Sequence, residues 1–358
     1  MKIALVSTCA LTTPPKAYGG TELVVAELAH GLTELGHDVV VYATGDSKPY
    51  GRLRFLEPAP VWPPSAEAST RHAQFALEEL ARSEIDVVHV NDPTALPFLD
   101  PLKVPVVVTM HHQRDDSVVD AYARSPAAIV AISKRQAELH PELSFAAVIH
   151  HGVDPARYPE GDGRGGYAAY LGRFAAEKGT HLAIDAAVLA NVPLLLGGDV
   201  HAAARRYFEC VVRPRLTRHQ TLARWLGELT HEPKVELLRG ASALLTPIEW
   251  EEPFGLVMIE AMLVGTPVIA LPRGSVPEVI EEGITGFVVR SVDEMAARLR
   301  ALDRFDRARC RARAAERFSY LRMARDHLEL YATLLAENAR RSHLPSTSNQ
   351  QELHAEHA

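Results

Sequence analysis

The chain has 358 residues, 47% apolar and 23% charged, which suits a soluble globular protein of two domains, and no window approaches the roughly 18 apolar residues of a membrane span. Its formal net charge of −7 argues against general nucleic-acid binding, which needs a basic face. Cys9, Cys210 and Cys310 lie far apart without CxxC spacing, which argues against a disulfide framework or structural zinc and fits a reducing, cytoplasmic setting; for Cys9 a packed thiol is the favoured reading and a place near a site the alternative.

The start, "MKIALVSTCALTTPP", has only four apolar residues after its lysine, too few for a signal peptide, and reads as a first strand. "TELVVAELAHGLTELG" then has helical periodicity, and "HDVVVYAT" is a second strand. "IDVVHV", "VPVVVTM", "AAIVAIS" and "AAVIHHGVD" continue the series. Near-continuous apolar strands of this kind belong to parallel sheets covered on both faces. Residues 1–151 therefore form a first α/β domain. "DPARYPEGDGRGG" lacks periodicity and is rich in Pro, Gly and charge, so 152–165 is expected as a linker. A second α/β domain, 166–318, follows, with strands at "YAAYLG", "VPLLLGG", "ALLTP", "TPVIAL" and "GFVV" and helices at "THLAIDAAVLA" and "FGLVMIEAMLVG". From 294 to 337 the pattern is helical and arginine-rich; a solvated face is the favoured reading, an anionic membrane or ligand patch the alternative. The polar tail, 338–358, is expected to be disordered.

Chemistry concentrates at strand ends. In "EEPFGLVMIEAMLVG", Pro253 and Gly255 open a helix that is apolar on nearly every side, so Glu260 within it needs a partner: nucleotide ribose hydroxyls, or a buried Arg or Lys. Glu252 precedes that helix on a loop where ligands gather in open α/β sheets, and the first-turn N–H groups near Phe254, Gly255 and Leu256 form an anion site. "LGRFAAEKGT" puts Arg173 and Lys178 on another such loop, either solvated or gripping phosphate. In "PPKAYGGTE", Gly19 and Gly20 either let the backbone approach a ligand or make a flexible turn with Thr21 as N-cap. His89, His111 and His112 end strands and can hydrogen-bond a substrate or move a proton; for His89 and His112 a packed role is favoured. No HExxH or DxD motif is present, so no metal and no cofactor are expected.

Taken in order, "YGGTE", "TMHH", "HHGVD", "LGRFAAEKG", "EEPFGLVMIEAM", "GTPVIA" and "RGSVPEVIEEGITGFVV" resemble the group 1 (family 4) retaining glycosyltransferases from residue 2 to about 337. The most specific element is the Glu, seven residues, Glu arrangement at Glu252 and Glu260, reinforced by Arg173 and Lys178 upstream. The resemblance implies the GT-B fold, two Rossmann-like domains facing across a cleft, with a final helix, about 319–337, packed back on the first domain. It also implies that Arg173 and Lys178 bind the donor diphosphate, Glu260 the ribose and Glu252 the transferred sugar, while His111 and the Gly19–Gly20 loop approach the reaction centre. The partners so implied are a UDP- or GDP-hexose and a hydroxyl acceptor, with peripheral membrane contact if that acceptor is a lipid. Two departures stand out: His151 in "HHGVD", where relatives often have asparagine, and Ser275 in "RGSVPEVI", where a second glycine is common, which bears on a backbone contact to the donor sugar near Gly274 and Ser275; Glu278 is placed to cap or contact that loop. A sugar-nucleotide epimerase, which needs no acceptor, and a nucleotide-sugar-binding module without turnover are the alternatives.

Overall fold

A computed structural model describes residues 1–343. Seven parallel strands form the first sheet: β1 (Lys2–Val6), β2 (Asp38–Tyr42), β3 (Arg52–Arg54), β4 (Val87–Val90), β5 (Val106–Thr109), β6 (Ala128–Ala131) and β7 (Phe145–Val148), in the order β3-β2-β1-β4-β5-β6-β7. Six parallel strands form the second: β8 (Ala168–Leu171), β9 (Leu194–Gly197), β10 (Ala223–Trp225), β11 (Leu244–Thr246), β12 (Val268–Ala270) and β13 (Gly286–Val288), in the order β10-β9-β8-β11-β12-β13. In each sheet the strand order reverses beside the first strand, and the crevice at such a reversal opens over the strands' carboxyl ends.

Strand β1 shows why its sequence is apolar without alternation. Ile3 and Leu5 pack with Val24 and Leu28 of the Gly20–Glu34 helix, while Ala4 and Val6 pack on the other face with Ala73 and Leu77 of the Ala66–Leu80 helix. Side chains alternate with period two, and both faces are covered.

The segment expected as a linker, 152–165, is hydrogen-bonded to other parts of the chain from its start. Val153 N–H donates to Phe318 O at 3.0 Å and Tyr320 N–H donates to Val153 O at 3.1 Å, so the outgoing and returning chains cross side by side. Beyond them Tyr158 is fully buried, and the N–H groups of Gly161, Gly163 and Gly165 donate to Val264, Arg239 and Gly240 carbonyls at 2.9, 3.0 and 2.9 Å.

The arginine-rich helix Arg307–Phe318 departs from the solvated face expected of it. Arg307 donates to Gly161 O and Ala241 O, both at 3.1 Å; Arg311 donates to Tyr158 O and Leu263 O; Arg317 donates to Val279 O at 3.1 Å. These carbonyls lie in loops or in the last turn of a helix, as at Leu263 and Val279, where the backbone offers no further donor, and guanidinium groups supply it. Arg313, by contrast, pairs with Glu281 and Glu316 nearer the surface.

The last helix, Tyr320–His343, returns to the first sheet's layer and buries Met323, Ala324, Leu330 and Tyr331 against the Gly20–Glu34 helix and its core. It continues through residues 338–343, which the sequence assigns to a disordered tail; the rest of that tail, 344–358, lies outside the described residues. No helix among the described residues is long and apolar enough to cross a membrane.

Candidate functional site

Two adjoining cavities, of about 470 and 140 Å³, lie between the sheets. Tyr18, Gly20, Leu171, Gly172, Arg173, Leu256 and Val257 line both, so they form one two-lobed cleft with Arg173 at the waist. Lys178, Glu252, Trp250, Thr246, Phe254, Gly255 and His111 line the larger lobe; Gly19, Glu228, Lys234 and Glu260 line the smaller.

Two helix N-termini meet at the waist. A Cβ on Gly20 would lie 3.6 Å from Leu256, so the Gly20–Glu34 helix starts opposite the Leu256–Leu263 helix. First-turn N–H groups lack intrahelical acceptors and carry the positive end of the helix dipole, so an anion between them is favoured from both sides. Gly255 caps the second helix at φ +85°, a left-handed conformation that side chains resist. Gly19 is required by space, since a Cβ there would lie 2.7 Å from Pro15 Cβ.

The charged side chains of the cleft are held in pairs. Lys178 donates to Glu252, which also accepts from Trp250 Nε1 at 2.7 Å, and the ammonium lies 4.5 Å from the indole centroid. Glu260, 1% exposed, accepts from Lys234 and from Tyr158 OH at 2.9 Å. Of its two expected partners the lysine is therefore present, yet both members of the pair line the smaller lobe, where a ligand can reach them. Arg173 differs: its nearest carboxylate is Glu177 at 3.8 Å, and its buried Nε–H has no partner among the described residues. The buried hydroxyl of Thr246, at the end of β11, is likewise unpartnered there.

The "RGSVP" loop supports the glutamate loop from behind. Ser275 N–H donates to Glu252 O at 2.9 Å and its hydroxyl to Phe254 O at 2.7 Å, and neither Gly274 nor Ser275 lines either lobe. A second glycine would lose that hydroxyl anchor. Glu278 reaches across to the first sheet's layer, where its carboxylate accepts from Lys134 N–H at 2.8 Å and Arg135 N–H at 2.7 Å, with His150 Nε2 at 3.2 Å; these contacts hold it below the usual carboxylate range against the opposing effect of burial. Arg135 also pairs with Glu251, at 2.9 Å.

The opposite wall is neutral. His111 lines the larger lobe, its ring stacked on His151 at 5.2 Å between centroids, and burial pushes it down to about 3. His151 also meets Phe254 at 5.0 Å and lines the lobe. His89 is fully buried between Tyr331 OH and Thr109 Oγ1, each at 2.7 Å, and His112 lies 3.0 Å from Tyr122 OH at the lobe's edge. Cys9 and Cys310 are buried and Cys210 is exposed, all as free thiols. Among the described residues no group of three His, Cys, Asp or Glu side chains is arranged to hold a metal ion.

Sequence reasoning missed Tyr18, Trp250, Lys234 and Tyr158. Trp250 sits inside the glutamate motif and Tyr18 beside the glycines, so proximity was a signal; nothing local marks Lys234 or Tyr158, which arrive from remote elements.

Comparison with known proteins agrees with this geometry. The model of "Glycosyltransferase Family 4" matches residues 18–157 and that of "Glycosyl transferases group 1" residues 161–317. A glycogen synthase of Mycobacterium tuberculosis is 27% identical, over 84% of this chain and 87% of its own. A phosphatidyl-myo-inositol mannosyltransferase of Mycolicibacterium smegmatis is also 27% identical, over 88% of this chain and 89% of its own. Among solved structures, AviGT4, a glycosyltransferase involved in avilamycin A biosynthesis, superposes with a TM-score of 0.74 at 25% identity, over 94% of this chain and 98% of that one. Matched on both sides of the cleft and built on two facing parallel sheets, the chain belongs to the group 1 (family 4) glycosyltransferases of the GT-B fold.

Proposed function

We propose that this glycosyltransferase moves a hexose from a UDP- or GDP-sugar to a hydroxyl acceptor, with retention of configuration and without a metal ion. The observation that carries the reading is the waist of the cleft: Arg173, with an unpartnered guanidinium N–H, sits between a lobe holding Glu260 and a lobe holding Glu252 and His111. A diphosphate at the waist places its nucleoside in the smaller lobe, ribose on Glu260, and its sugar in the larger lobe beside Glu252. The unit of residues 166–318 then holds the donor, while that of 1–151 presents the acceptor past Gly19, Gly20 and His111.

Charge accumulates on the departing diphosphate as the glycosidic bond breaks. Arg173, Lys178 and the N–H groups at Gly255, Leu256 and Val257 meet it, one such donor being worth about 3 kcal/mol of barrier. Lys178 shifts toward phosphate, and Glu252, held by Trp250, turns to the sugar's hydroxyls and its developing positive charge. Retention follows from same-face attack through an oxocarbenium-like state, the family expectation.

Calorimetry with UDP-glucose, GDP-mannose and ADP-glucose in EDTA, followed by acceptor screening and NMR of the product's anomeric proton, tests this. Binding of the UDP- or GDP-sugar and transfer with unchanged configuration are expected. Activity restored only by manganese or magnesium, an inverted product, or epimerisation of donor without acceptor would overturn it.

A further inference from the structure

Asn91 follows β4 and is 4% exposed. Its amide nitrogen donates to Val6 O at 3.3 Å and to His89 O at 3.5 Å; carbonyls only accept, so the amide has one orientation. Its Oδ1 then faces His111 Nε2 at 2.9 Å. An amide oxygen also only accepts, so Nε2 carries the hydrogen, and in a neutral imidazole Nδ1 is left as a bare lone pair. Nδ1 has no hydrogen-bond partner among the described residues, and the ring lines the larger lobe.

We propose that Asn91 is a positioning residue that holds His111 as its Nε2–H tautomer, so that the nitrogen offered to the reaction centre accepts a hydrogen bond from a sugar hydroxyl and does not donate one. The sugar part rests on the function proposed above; the tautomer does not. The ring's surroundings keep it neutral: it stacks on His151, with Arg322 bonded to the His151 carbonyl behind it, and burial, the largest effect, together with the repulsion that ionised His112 or His327 would add, pushes it down to about 3, His89 being likewise held low. No carboxylate is among the groups acting on it. A neutral ring whose free nitrogen has no hydrogen cannot protonate the leaving phosphate, which leaves that charge to Arg173, Lys178 and the helix N–H groups.

Nitrogen NMR of the full chain, labelled at histidine imidazoles and without added ligand, reads the tautomer directly; His111→Phe assigns the signal. Wild type is expected to show a protonated Nε2 and an unprotonated Nδ1, unchanged between about pH 8 and 5.5. Asn91→Ala should mix the two tautomers while UDP still raises the melting temperature. Asn91→Asp should raise the ring's pKa by placing a carboxylate beside it, so the ring titrates within that window. With UDP-glucose, kcat/KM of this variant should then fall about tenfold per pH unit below the new pKa. A wild-type ring protonated at Nδ1, or an Asn91→Ala spectrum identical to wild type, would overturn the assignment. The expected tautomer without turnover of any nucleotide sugar would instead sink the donor reading and leave the Asn91–His111 pair standing.

Discussion

The two walls of the cleft solve different electrostatic problems. On the wall from the second sheet, Lys178–Glu252 and Lys234–Glu260 cancel one another's charge, and of the three cations only Arg173 lacks a close carboxylate. On the wall from the first sheet, His111 and His151 are kept uncharged by burial. A low-dielectric cleft tolerates charge that is paired and titratable groups that are neutral. One wall is thus built to exchange ion-pair partners when an anion arrives, and the other to offer hydrogen bonds without changing charge.

The sharpest way to break this contrast is Arg173→Ala, which removes the one cation not already committed to a close carboxylate. Its loss should lower kcat by about 10²–10³, the effect of deleting one preorganised donor to transition-state charge, while the melting temperature stays near wild type. Single-turnover rates and thermal melts on the same preparation check it. Next in size is Glu260→Ala: a charged hydrogen bond of roughly 1.5–3 kcal/mol predicts a tenfold to hundredfold loss of donor affinity. The change also leaves Lys234 without its carboxylate, so the melting temperature should fall as well. Calorimetry beside melting curves separates the two, and lowered stability with unaltered affinity would show that the pair is only structural.

Glu252→Gln comes third. It keeps the size and the Trp250 bond but discharges the partner of Lys178, so kcat should fall on the order of tenfold with UDP affinity retained or improved. The neutral wall is tested by acid. A histidine whose folded pKa is depressed contributes its stability fully above the unfolded value of 6.5 and loses it as pH falls toward the folded one. Burial pushes His327 down to about 4 and holds His89 and His151 well below their usual range, so stability should drop from pH 6.5 toward 4, by about 1.36 kcal/mol per unit for each such histidine. Glu27, pushed up to about 7 by burial, works in the opposite sense: its contribution is complete below 4.5 and fades as pH rises through 7. Urea melts at several pH values would show the net slope, and a flat profile would contradict the assignment of neutral buried rings. The smallest effect belongs to Glu278→Gln, which weakens the contact with the Lys134 and Arg135 N–H groups by under about 1 kcal/mol. Small-angle scattering should then report a more open mean shape, with kcat and KM changing together.

The motif residues were legible because each sits at a strand's carboxyl end, where alternation of apolar runs and polar loops marks position. Arg173, Lys178, Glu252 and the glycines were found this way and do converge on one cleft. The short edge strands β3 and β10 were not, since "RLR" and "ARW" carry too little apolar pattern to stand out from loops. Lys234 was hidden because a lone lysine on an ordinary helix looks solvated until the fold sets it against Glu260. The arginine-rich helix misled for a related reason: composition signals charge, whereas these guanidiniums answer to loop and helix-end carbonyls that only tertiary structure brings near.

The paired crossing at Val153 and Ser319 has a kinematic consequence. A single connecting chain lets two bodies tilt and swivel through a cone of orientations, because each backbone bond is an independent axis. Two chains hydrogen-bonded side by side share one line, and rotation about any other axis must break the 3.0 and 3.1 Å bonds that join them. Opening and closing of the cleft is therefore expected to follow an arc, which distances between one label on each body, measured with and without UDP, would trace.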